Sequence, residues 1–385
     1  MIDFTLTEDQ VALQEMAREF AEKEMRPQAA RYDQGHDFPA DVMKKAFEVG
    51  FLTCTVPSEY GGVGLGDLDT AIVSEELSRG CPGMYTTMMA NSLAFTPILL
   101  FGTEEQKKRF FGPFTKEMAF ASYCLTEREA GSDTSAIKTT AKKVGSEYIL
   151  NGSKCFITNA GVASLYVVFA NSAPEKGPRG LSVFCVPRGT PGLTVGKVED
   201  KMGQRASNTA ELFFEDARVP AENIIGREGL GFIVAMRTFD KTRAAVGAAG
   251  VGIARAALEY AIDYAKTRVQ FGKPIAALQA TAFKIAQMAM EVDAARLLVW
   301  RAAWLMDHGK SCGRESAMAK CFGSDVGMRT ALEALQIFGG YGYMKDYPIE
   351  KLVRDAKLLQ IYEGTNEIQR LVISRDVIGP YKGRS

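Results

Sequence analysis

The sequence predicts an α+β protein made of a helical domain, a β domain and a second helical domain, in that order. The periodicity of its apolar residues changes twice along the chain, from helical spacing to short apolar runs and back. With 385 residues, of which 46% are hydrophobic, the chain can bury more than one core. We therefore expect domains over residues 1–119, 120–225 and 226–385.

Helical spacing runs through the first domain, from Thr7 to about Lys116. Thr7 and Gln10 have the spacing of a capping box, which predicts the start of a helix. Residues 80–103 carry no charge, but Pro82 and several polar residues interrupt this stretch. We expect it to form a buried helix or the wall of an apolar pocket, and not a membrane span.

Short apolar runs separated by turn signals fill residues 120–219. Asn151-Gly152 lies between two such runs and predicts a β-hairpin. Few helical stretches separate the runs, which favours an antiparallel barrel or sandwich over a parallel βαβ sheet. A Rossmann domain is therefore not expected.

Long helices are predicted again after Gly226, at residues 232–268, 278–308, 316–338 and, in a shorter tail, 366–377. Gly247, Gly250 and Gly252 lie inside the first of these helices, where close helix packing explains them better than phosphate binding. Helical bundles of this kind commonly pair with copies of themselves.

Composition excludes several classes of function. Lys plus Arg and Asp plus Glu both number 46, so no excess of basic charge favours nucleic acid as a partner. Seven cysteines without a C-x-x-C pair, together with only His36 and His308, argue against a disulfide framework and a metal site. The acidic start of the chain resembles neither a signal nor a transit peptide, which suggests a cytoplasmic or already processed chain.

Three segments have residues suited to binding or chemistry. Residues 126–133 form a polar loop that either holds a pyrophosphate or is an ordinary surface turn. The glycine cluster at residues 339–342 permits close approach of another body. Glu363 lies between an apolar run and Gly364-Thr365, where it is either a desolvated general base or a cap of the following helix.

Several motifs follow one another in a fixed order. They are Tyr123-Cys124-Leu125-Thr126-Glu127 with Ala130-Gly131-Ser132-Asp133, Phe156-Ile157-Thr158-Asn159, Lys201-Met202-Gly203-Gln204-Arg205, Phe239-Asp240-Lys241-Thr242-Arg243, Arg268 with Phe271-Gly272-Lys273, residues 336–340 and residues 361–370. On these motifs the chain resembles the acyl-CoA dehydrogenase family, nearly end to end.

The resemblance implies a helical N-terminal domain, a middle antiparallel β-barrel and a C-terminal four-helix bundle that builds a homotetramer. It implies non-covalently bound FAD, an acyl-CoA substrate and electron-transferring flavoprotein as the electron acceptor. Such an enzyme of fatty acid β-oxidation would lie in the bacterial cytoplasm, or in the mitochondrial matrix if the chain is a processed eukaryotic one.

By the same resemblance, the flavin and its ribityl chain are lined by Tyr123, Leu125, Thr126, Ser132, Phe156 and Thr158, and the pyrophosphate lies beside Thr365 and Glu367. A neighbouring subunit is implied to supply Arg268, Phe271, Gln336 and Gly340. Gln279 is a further implied cofactor position. The implied substrate-binding residues are Ser132, Asp240, Arg243 and Gly364.

Glu363 falls at the family's catalytic base. The resemblance implies that it removes the α-proton of the thioester while the β-hydride passes to flavin N5, which gives a trans-2-enoyl-CoA. The thioester oxygen would be held by the backbone N–H of the base and by a ribityl hydroxyl.

The chain departs from the family pattern at two places. Arg128 and Glu129 replace the usual Pro and Gly, which adds bulk and charge beside the cofactor site. Phe156 stands where many members have Trp, which keeps an aromatic plane but removes an N–H donor.

The substrate follows less directly. Residues 80–103 match the acyl-pocket helices and have no Lys or Arg to pair with a dicarboxylic acyl group, so an apolar tail is expected. Bulky residues in this stretch favour a short, branched or alicyclic group such as butyryl-, 2-methylbutyryl- or cyclohexanecarboxyl-CoA; they are Met84, Tyr85, Met88, Met89 and Phe95.

Other functions on this fold stay open at this point. The enzyme could run in reverse as an enoyl-CoA reductase, or be a flavin monooxygenase or oxidase. A catalytically silent acyl-CoA-binding scaffold is the alternative outside enzymology.

Overall fold

The computed structural model describes residues 4–35 and 37–380, and it has a helical region at each end with a β-sheet region between them. The predicted α+β fold class is therefore confirmed. His36 and residues 1–3, on which two of the sequence arguments depend, lie outside the described residues.

The N-terminal region contains six α-helices, which are α1 (Glu8–Phe20), α2 (Ala29–Gly35), α3 (Ala40–Glu48), α4 (Asp67–Gly80), α5 (Pro82–Phe101) and α6 (Glu104–Lys116). The capping box at the start of α1 is confirmed, because the Thr7 hydroxyl accepts from the Gln10 N–H at 3.2 Å and the Gln10 side chain accepts from the Thr7 N–H at 3.1 Å. The uncharged stretch forms α5, which is buried along most of its length.

The β region is one seven-stranded sheet. Its strands are β1 (Ala121–Cys124), β2 (Thr140–Val144), β3 (Glu147–Thr158), β4 (Leu165–Asn171), β5 (Leu181–Pro187), β6 (Leu193–Val198) and β7 (Thr209–Pro220), with the order β1-β4-β2-β3-β7-β6 and β5 paired to β4.

The expectation of an antiparallel barrel holds for most of the strand pairs but is wrong for two of them. Strands β1 and β2 both pair with β4 in parallel, whereas the other four pairings are antiparallel. A parallel pair joins strands that are distant in sequence, and a pattern of short apolar runs carries no signal for it. Within the described residues no ladder joins β5 to β6, so hydrogen bonds do not close the sheet.

The hairpin predicted at Asn151-Gly152 is also wrong, because both residues lie inside β3. They lie opposite a bulge in β7, where Glu215 and Asp216 face the single residue Asn151. The Asn151 side chain donates to the Asp216 carboxylate at 3.0 Å and accepts from the Asp216 N–H at 2.9 Å. Gly152 has φ 142°, and a Cβ there would lie 2.6 Å from Thr139 Oγ1. The turn between β2 and β3 is instead made by Gly145 and Ser146.

The C-terminal region is helical, as expected. It contains α7 (Gly231–Thr267), α8 (Gln279–Asp307), α9 (Gly313–Phe338), α10 (Ile349–Leu359) and α11 (Asn366–Ile378), with a small hairpin of β8 (Val269–Gln270) and β9 (Lys273–Pro274) after α7. Helix α10 was missing from the sequence prediction. His308 follows α8 as its C-cap, as predicted.

Helix α7 is the centre of this region and contacts α4, α5, α8, α9 and α10. A Cβ on Gly247 would lie 2.6 Å from the Ala319 carbonyl oxygen, and one on Gly250 would lie 2.3 Å from that of Gly323. Both glycines therefore allow α7 and α9 to touch, as predicted. Helix α7 is long and apolar enough to cross a membrane by composition alone, but 67% of its most apolar window is buried inside the structure, as in the core helix of a soluble protein.

Candidate active site

Glu363 lies in the short connection between α10 and α11. Its backbone is in the left-handed region, with φ 51°, and Gly364 follows with φ 88°. The next residue, Thr365, caps α11, because its hydroxyl accepts from the Ile368 N–H at 3.4 Å. The alternative that Glu363 caps this helix is therefore wrong, and its side chain is free for another role.

The carboxylate of Glu363 is half-buried and faces α7. Thr242 on that helix donates its hydroxyl to Glu363 Oε2 at 2.5 Å. Burial raises the pKa of Glu363, and the Thr242 hydrogen bond and the charges of Arg243 and Lys320 oppose this without cancelling it. A carboxylate with a raised pKa is a stronger base than one in water, as the sequence argument required.

Arg243 is buried beside this carboxylate, with 4% of its surface exposed. Its Nη1 donates to Asp240 Oδ1 at 3.2 Å, whereas its Nε has no partner among the described residues. A Cβ on Gly364 would lie 3.9 Å from Arg243 Nη2. The structure thus brings three of the predicted substrate-binding residues to Glu363. The fourth, Ser132, is exposed in a loop of the β region, and the described contacts do not join it to them.

Tyr123 on β1 is a buried polar group without a partner. Its ring packs against Phe169 at 4.9 Å and Phe239 at 5.7 Å between centroids, and its hydroxyl makes no hydrogen bond among the described residues. Burial, and then the charge of Glu363, raise the pKa of Tyr123 well above its usual value. The hydroxyl therefore stays protonated and is a donor for a bound molecule.

The other predicted flavin contacts in the β region lie on two adjoining segments. The Cys155 N–H donates to the Thr126 carbonyl at 3.0 Å, and the Ser122 hydroxyl donates to the Thr158 carbonyl at 2.8 Å. These bonds join β1 and the segment after it, with Leu125 and Thr126, to the end of β3. Phe156 on β3 has φ 57° and keeps 67% of its surface exposed, so it presents an aromatic face outward.

A buried ion pair holds these two segments together. Lys154 is 1% exposed, and its Nζ donates to Glu127 Oε1 at 2.7 Å and to the Leu125 carbonyl at 3.0 Å. The Glu127 carboxylate also accepts from the Lys138 and Thr139 N–H groups at 2.7 and 3.0 Å. Burial alone would raise the pKa of Glu127, but Lys154 and these donors together lower it, whereas burial lowers the pKa of Lys154 and Glu127 opposes that shift.

The two unusual loop residues point their charges elsewhere. Arg128 donates to Glu211 Oε1 at 2.8 Å, and Glu129 pairs with Lys138. Both side chains are exposed. Their charges are therefore paired within the β region.

These observations fit a cofactor such as FAD. An unpartnered phenol, an exposed aromatic plane and the loop hydroxyls of Thr126 and Ser132 suit a flat ring with polar edges and a polyhydroxyl chain. Thr365 caps α11 and Glu367 lies in its first turn, where backbone N–H groups favour an anion, although the Glu367 carboxylate itself would oppose one.

The remaining predicted cofactor residues lie at the other end of α7. Arg268 follows the end of α7, and its guanidinium lies 5.5 Å from the Tyr341 ring centre. The rise of an α-helix places this end roughly 40 Å from Thr242. The same end of the region holds Phe271, which is 90% exposed, together with Gln279, Gln336 and Gly340. The structure therefore does not bring this group to Glu363 within one chain.

Sequence reasoning missed several residues around Glu363. Gln369 donates to the Glu363 and Gly364 carbonyls at 3.2 and 2.9 Å. Lys320, on α9, donates to the Gly364 carbonyl at 2.8 Å. A lysine on an otherwise apolar helix face was the available signal for Lys320, whereas Gln369 and the role of Thr242 had none.

Comparisons with known proteins agree with this geometry. The models of the N-terminal, middle and C-terminal domains of acyl-CoA dehydrogenase match residues 7–117, 122–217 and 229–378. An acyl-CoA dehydrogenase of Bacillus subtilis (strain 168) is 47% identical over 375 residues, which are 97% of this chain and 99% of that protein. An acryloyl-CoA reductase (NADH) of Anaerotignum propionicum is 46% identical over 379 residues, or 98% of this chain and 96% of that protein.

Solved structures give the same result. The butyryl-CoA dehydrogenase of Megasphaera elsdenii has a TM-score of 0.96 at 43% identity and covers 98% of this chain and 100% of its own. A structure described as the electron transferring flavoprotein of Acidaminococcus fermentans has a TM-score of 0.96 at 48% identity, with the same coverage. The FAD complex of PigA has a TM-score of 0.93 at 32% identity, over 98% of this chain and 99% of its own.

Proposed function

The chain belongs to the acyl-CoA dehydrogenase family, and on that premise we propose that it converts a short acyl-CoA to its trans-2-enoyl-CoA with Glu363 as the base. The protein is an oxidoreductase with FAD as its cofactor. The observation that carries the catalytic assignment is the half-buried Glu363 carboxylate, whose pKa is raised by burial and which Thr242 orients.

The chemistry requires a base, a place for negative charge and a hydride acceptor. Glu363 takes the α-proton through the oxygen that Thr242 leaves free. The Glu363 N–H makes no hydrogen bond among the described residues, so it can donate to the thioester oxygen as charge develops there. Arg243 adds a buried positive charge nearby. FAD, when bound, accepts the β-hydride.

A short apolar acyl group is supported by α5. Tyr85 on this helix lies near Glu363. Burial is the largest cause that raises the pKa of Tyr85, and the charges of Tyr362 and Glu363 raise it further. Its hydroxyl donates to the Ala245 carbonyl at 3.0 Å, and Met84 and Met88 on the same helix are fully buried, so bulky apolar side chains lie on the Tyr85 side of Glu363. Phe95, expected in the acyl pocket, instead packs in the core against Phe111 and Phe114.

The reverse reaction is the second candidate. The relative from Anaerotignum propionicum is named an acryloyl-CoA reductase, and it matches this chain about as well as the dehydrogenase from Bacillus subtilis does. The same base would then return a proton to the α-carbon, because catalysis of a step and of its reverse uses the same groups.

We further propose that the active form is a homotetramer. Arg268 and its neighbours lie too far from Glu363 to complete the same cofactor site, so a second copy would supply them. Helix α8 also exposes an apolar side chain every seven residues, which suits packing against another helix; these are Phe283, Met290, Leu297 and Trp304.

Electron-transferring flavoprotein is the proposed electron acceptor, and the bacterial cytoplasm is the proposed location. The similarity to the structure from Acidaminococcus fermentans supports the first, and the bacterial relatives support the second.

An anaerobic titration of the purified protein tests the proposed reaction. We expect the absorbance of bound flavin to bleach with butyryl-CoA or a branched or alicyclic analogue, and less with octanoyl-CoA. Glutaryl-CoA serves as the charged control and should not bleach it. A flavin that no thioester bleaches, or one whose reduced form air reoxidises at once, would contradict the proposal.

A further inference from the structure

Lys320 on α9 contacts the connection between α10 and α11 that carries Glu363, and it is completely buried. It is 0% exposed on α9, and within the described residues its amino group has no carboxylate in ion-pair contact. Its Nζ donates instead to the Gly364 carbonyl and to Asn366 Oδ1, both at 2.8 Å. Burying a charge without an ion pair is costly, and a neutral side chain would pack here at lower cost.

The contacts of Lys320 converge on the backbone around Glu363. Gly364 has φ 88°, and its carbonyl also accepts from Gln369 Nε2 at 2.9 Å. Asn366, the first residue of α11, is itself fixed by donating to Ser324 Oγ at 2.9 Å and to Asp325 Oδ1 at 2.7 Å. The amino group therefore joins α9 to the Gly364 end of the left-handed turn that presents Glu363, and to the first residue of α11.

The charge of Lys320 also acts on the base. Burial lowers the pKa of Lys320 to about 8, and the charge that opposes this most is Glu363. In return, Lys320 is one of the groups that lower the pKa of Glu363 against burial. Five titratable or charged groups face Glu363. They are Tyr362, which precedes it in the chain, and, from the elements packed around it, Tyr85 on α5, Tyr123 on β1, Arg243 on α7 and Lys320 on α9. Those that face Lys320 are Glu363, Cys321, Arg243 and Asp325.

We propose that Lys320 is a positioning residue for proton abstraction, which fixes the Glu363-Gly364 turn from α9 and places a positive charge near the Glu363 carboxylate. Lys320 touches neither substrate nor cofactor in this scheme. The inference deepens the proposed function, and only its kinetic consequence rests on that function.

Two variants separate the two effects. Lys320→Met removes both the hydrogen bonds and the charge, whereas Lys320→Gln keeps a donor and removes the charge. The control is Lys351→Met combined with Asp355→Asn, because Lys351 is also buried in the C-terminal region but is not among the groups that shift the pKa of Glu363, and replacing both partners leaves no buried carboxylate unpaired. FAD content and thermal unfolding of each holoenzyme establish that it is folded.

The first readout needs no turnover. Infrared difference spectra across a pH series follow the protonation of Glu363, assigned by the band that disappears in Glu363→Gln. We expect the midpoint to rise by about one pH unit or more in both Lys320 variants, the scale for removing a nearby opposite charge. It should not move in the Lys351→Met/Asp355→Asn control. An unchanged midpoint in Lys320→Gln would overturn the proposal, whatever the midpoint in Lys320→Met.

The second readout is the pH profile of flavin reduction by the acyl-CoA that bleaches the wild type. Because the pKa of the base rises, the acid limb should move to higher pH, with about a tenfold loss of kcat well below the new pKa and little change in KM. A merely structural role would lower activity only in proportion to FAD content and leave the limb in place. If Glu363→Gln reduces flavin normally, the proposed function fails, whereas the infrared shift still tests the link between Lys320 and Glu363. If Lys320→Met does not fold, Lys320→Gln decides.

Discussion

Replacing Thr242 by Val should raise the pKa of Glu363 and shift the pH range in which the enzyme works. The Thr242 hydroxyl donates to Glu363 Oε2 at 2.5 Å, and a valine keeps the shape of the side chain without the donor. A hydrogen bond to a charged group contributes about 1.5–3 kcal/mol, and about 1.4 kcal/mol corresponds to one pKa unit. The bond stabilises the ionised carboxylate, so its loss should raise the pKa by roughly 1–2 units.

The expected change has a definite sign. Below the raised pKa the fraction of ionised Glu363 falls, so flavin reduction should slow at low pH. At a pH above it the base is ionised again and intrinsically stronger, so the rate should return to at least the wild-type value. Stopped-flow flavin reduction across a pH series measures both limbs.

Thr238→Val is the matched control for this variant. Thr238 lies one turn earlier on α7, is fully buried and donates to the Val234 carbonyl at 2.8 Å, without contact to Glu363. Its pH profile should match the wild type. A Thr242→Val profile that falls equally at every pH, or that matches the wild type, would refute the assignment of this hydrogen bond to the base.

Two further predictions concern the cofactor loop and helix packing. Lys154→Met leaves the Glu127 carboxylate buried without its partner, which costs about 3–5 kcal/mol, so less FAD should stay bound through gel filtration. Adding Glu127→Gln should restore part of the bound FAD. Equal FAD content in the single and double variants would contradict this role of the ion pair. Gly250→Ala places a Cβ 2.3 Å from the Gly323 carbonyl oxygen and should lower the unfolding temperature by the equivalent of about 1–3 kcal/mol or more. Gly112→Ala, where a Cβ meets nothing within 4 Å, should not lower it.

The helical regions could be predicted because their information is local. Capping at Thr7 and apolar spacing along α7 depend on residues within a few turns of one another. The sheet could not be predicted to the same depth. Parallel pairing of β1 with β4 joins residues about forty positions apart. Asn151-Gly152 is a dipeptide typical of hairpin turns, but it lies inside β3 opposite a bulge in β7.

The site was predicted in part for a related reason. Glu363, Arg243 and Tyr123 lie in motifs of the family, and the structure brings them together. Thr242 also lies in a motif, but nothing in a single sequence indicates that its hydroxyl faces residue 363. Lys320 and Gln369 support the turn from distant positions, so only the folded chain reveals them.

The most direct test of the account is the rate of flavin reduction in Glu363→Gln under anaerobic conditions, with the acyl-CoA that bleaches the wild type. Gln keeps the size of the side chain but cannot accept the α-proton. We expect FAD content and acyl-CoA affinity close to the wild type and a reduction rate lower by at least about a hundredfold, the scale for a positioned base. A rate close to that of the wild type would remove Glu363 from the reaction and contradict the account.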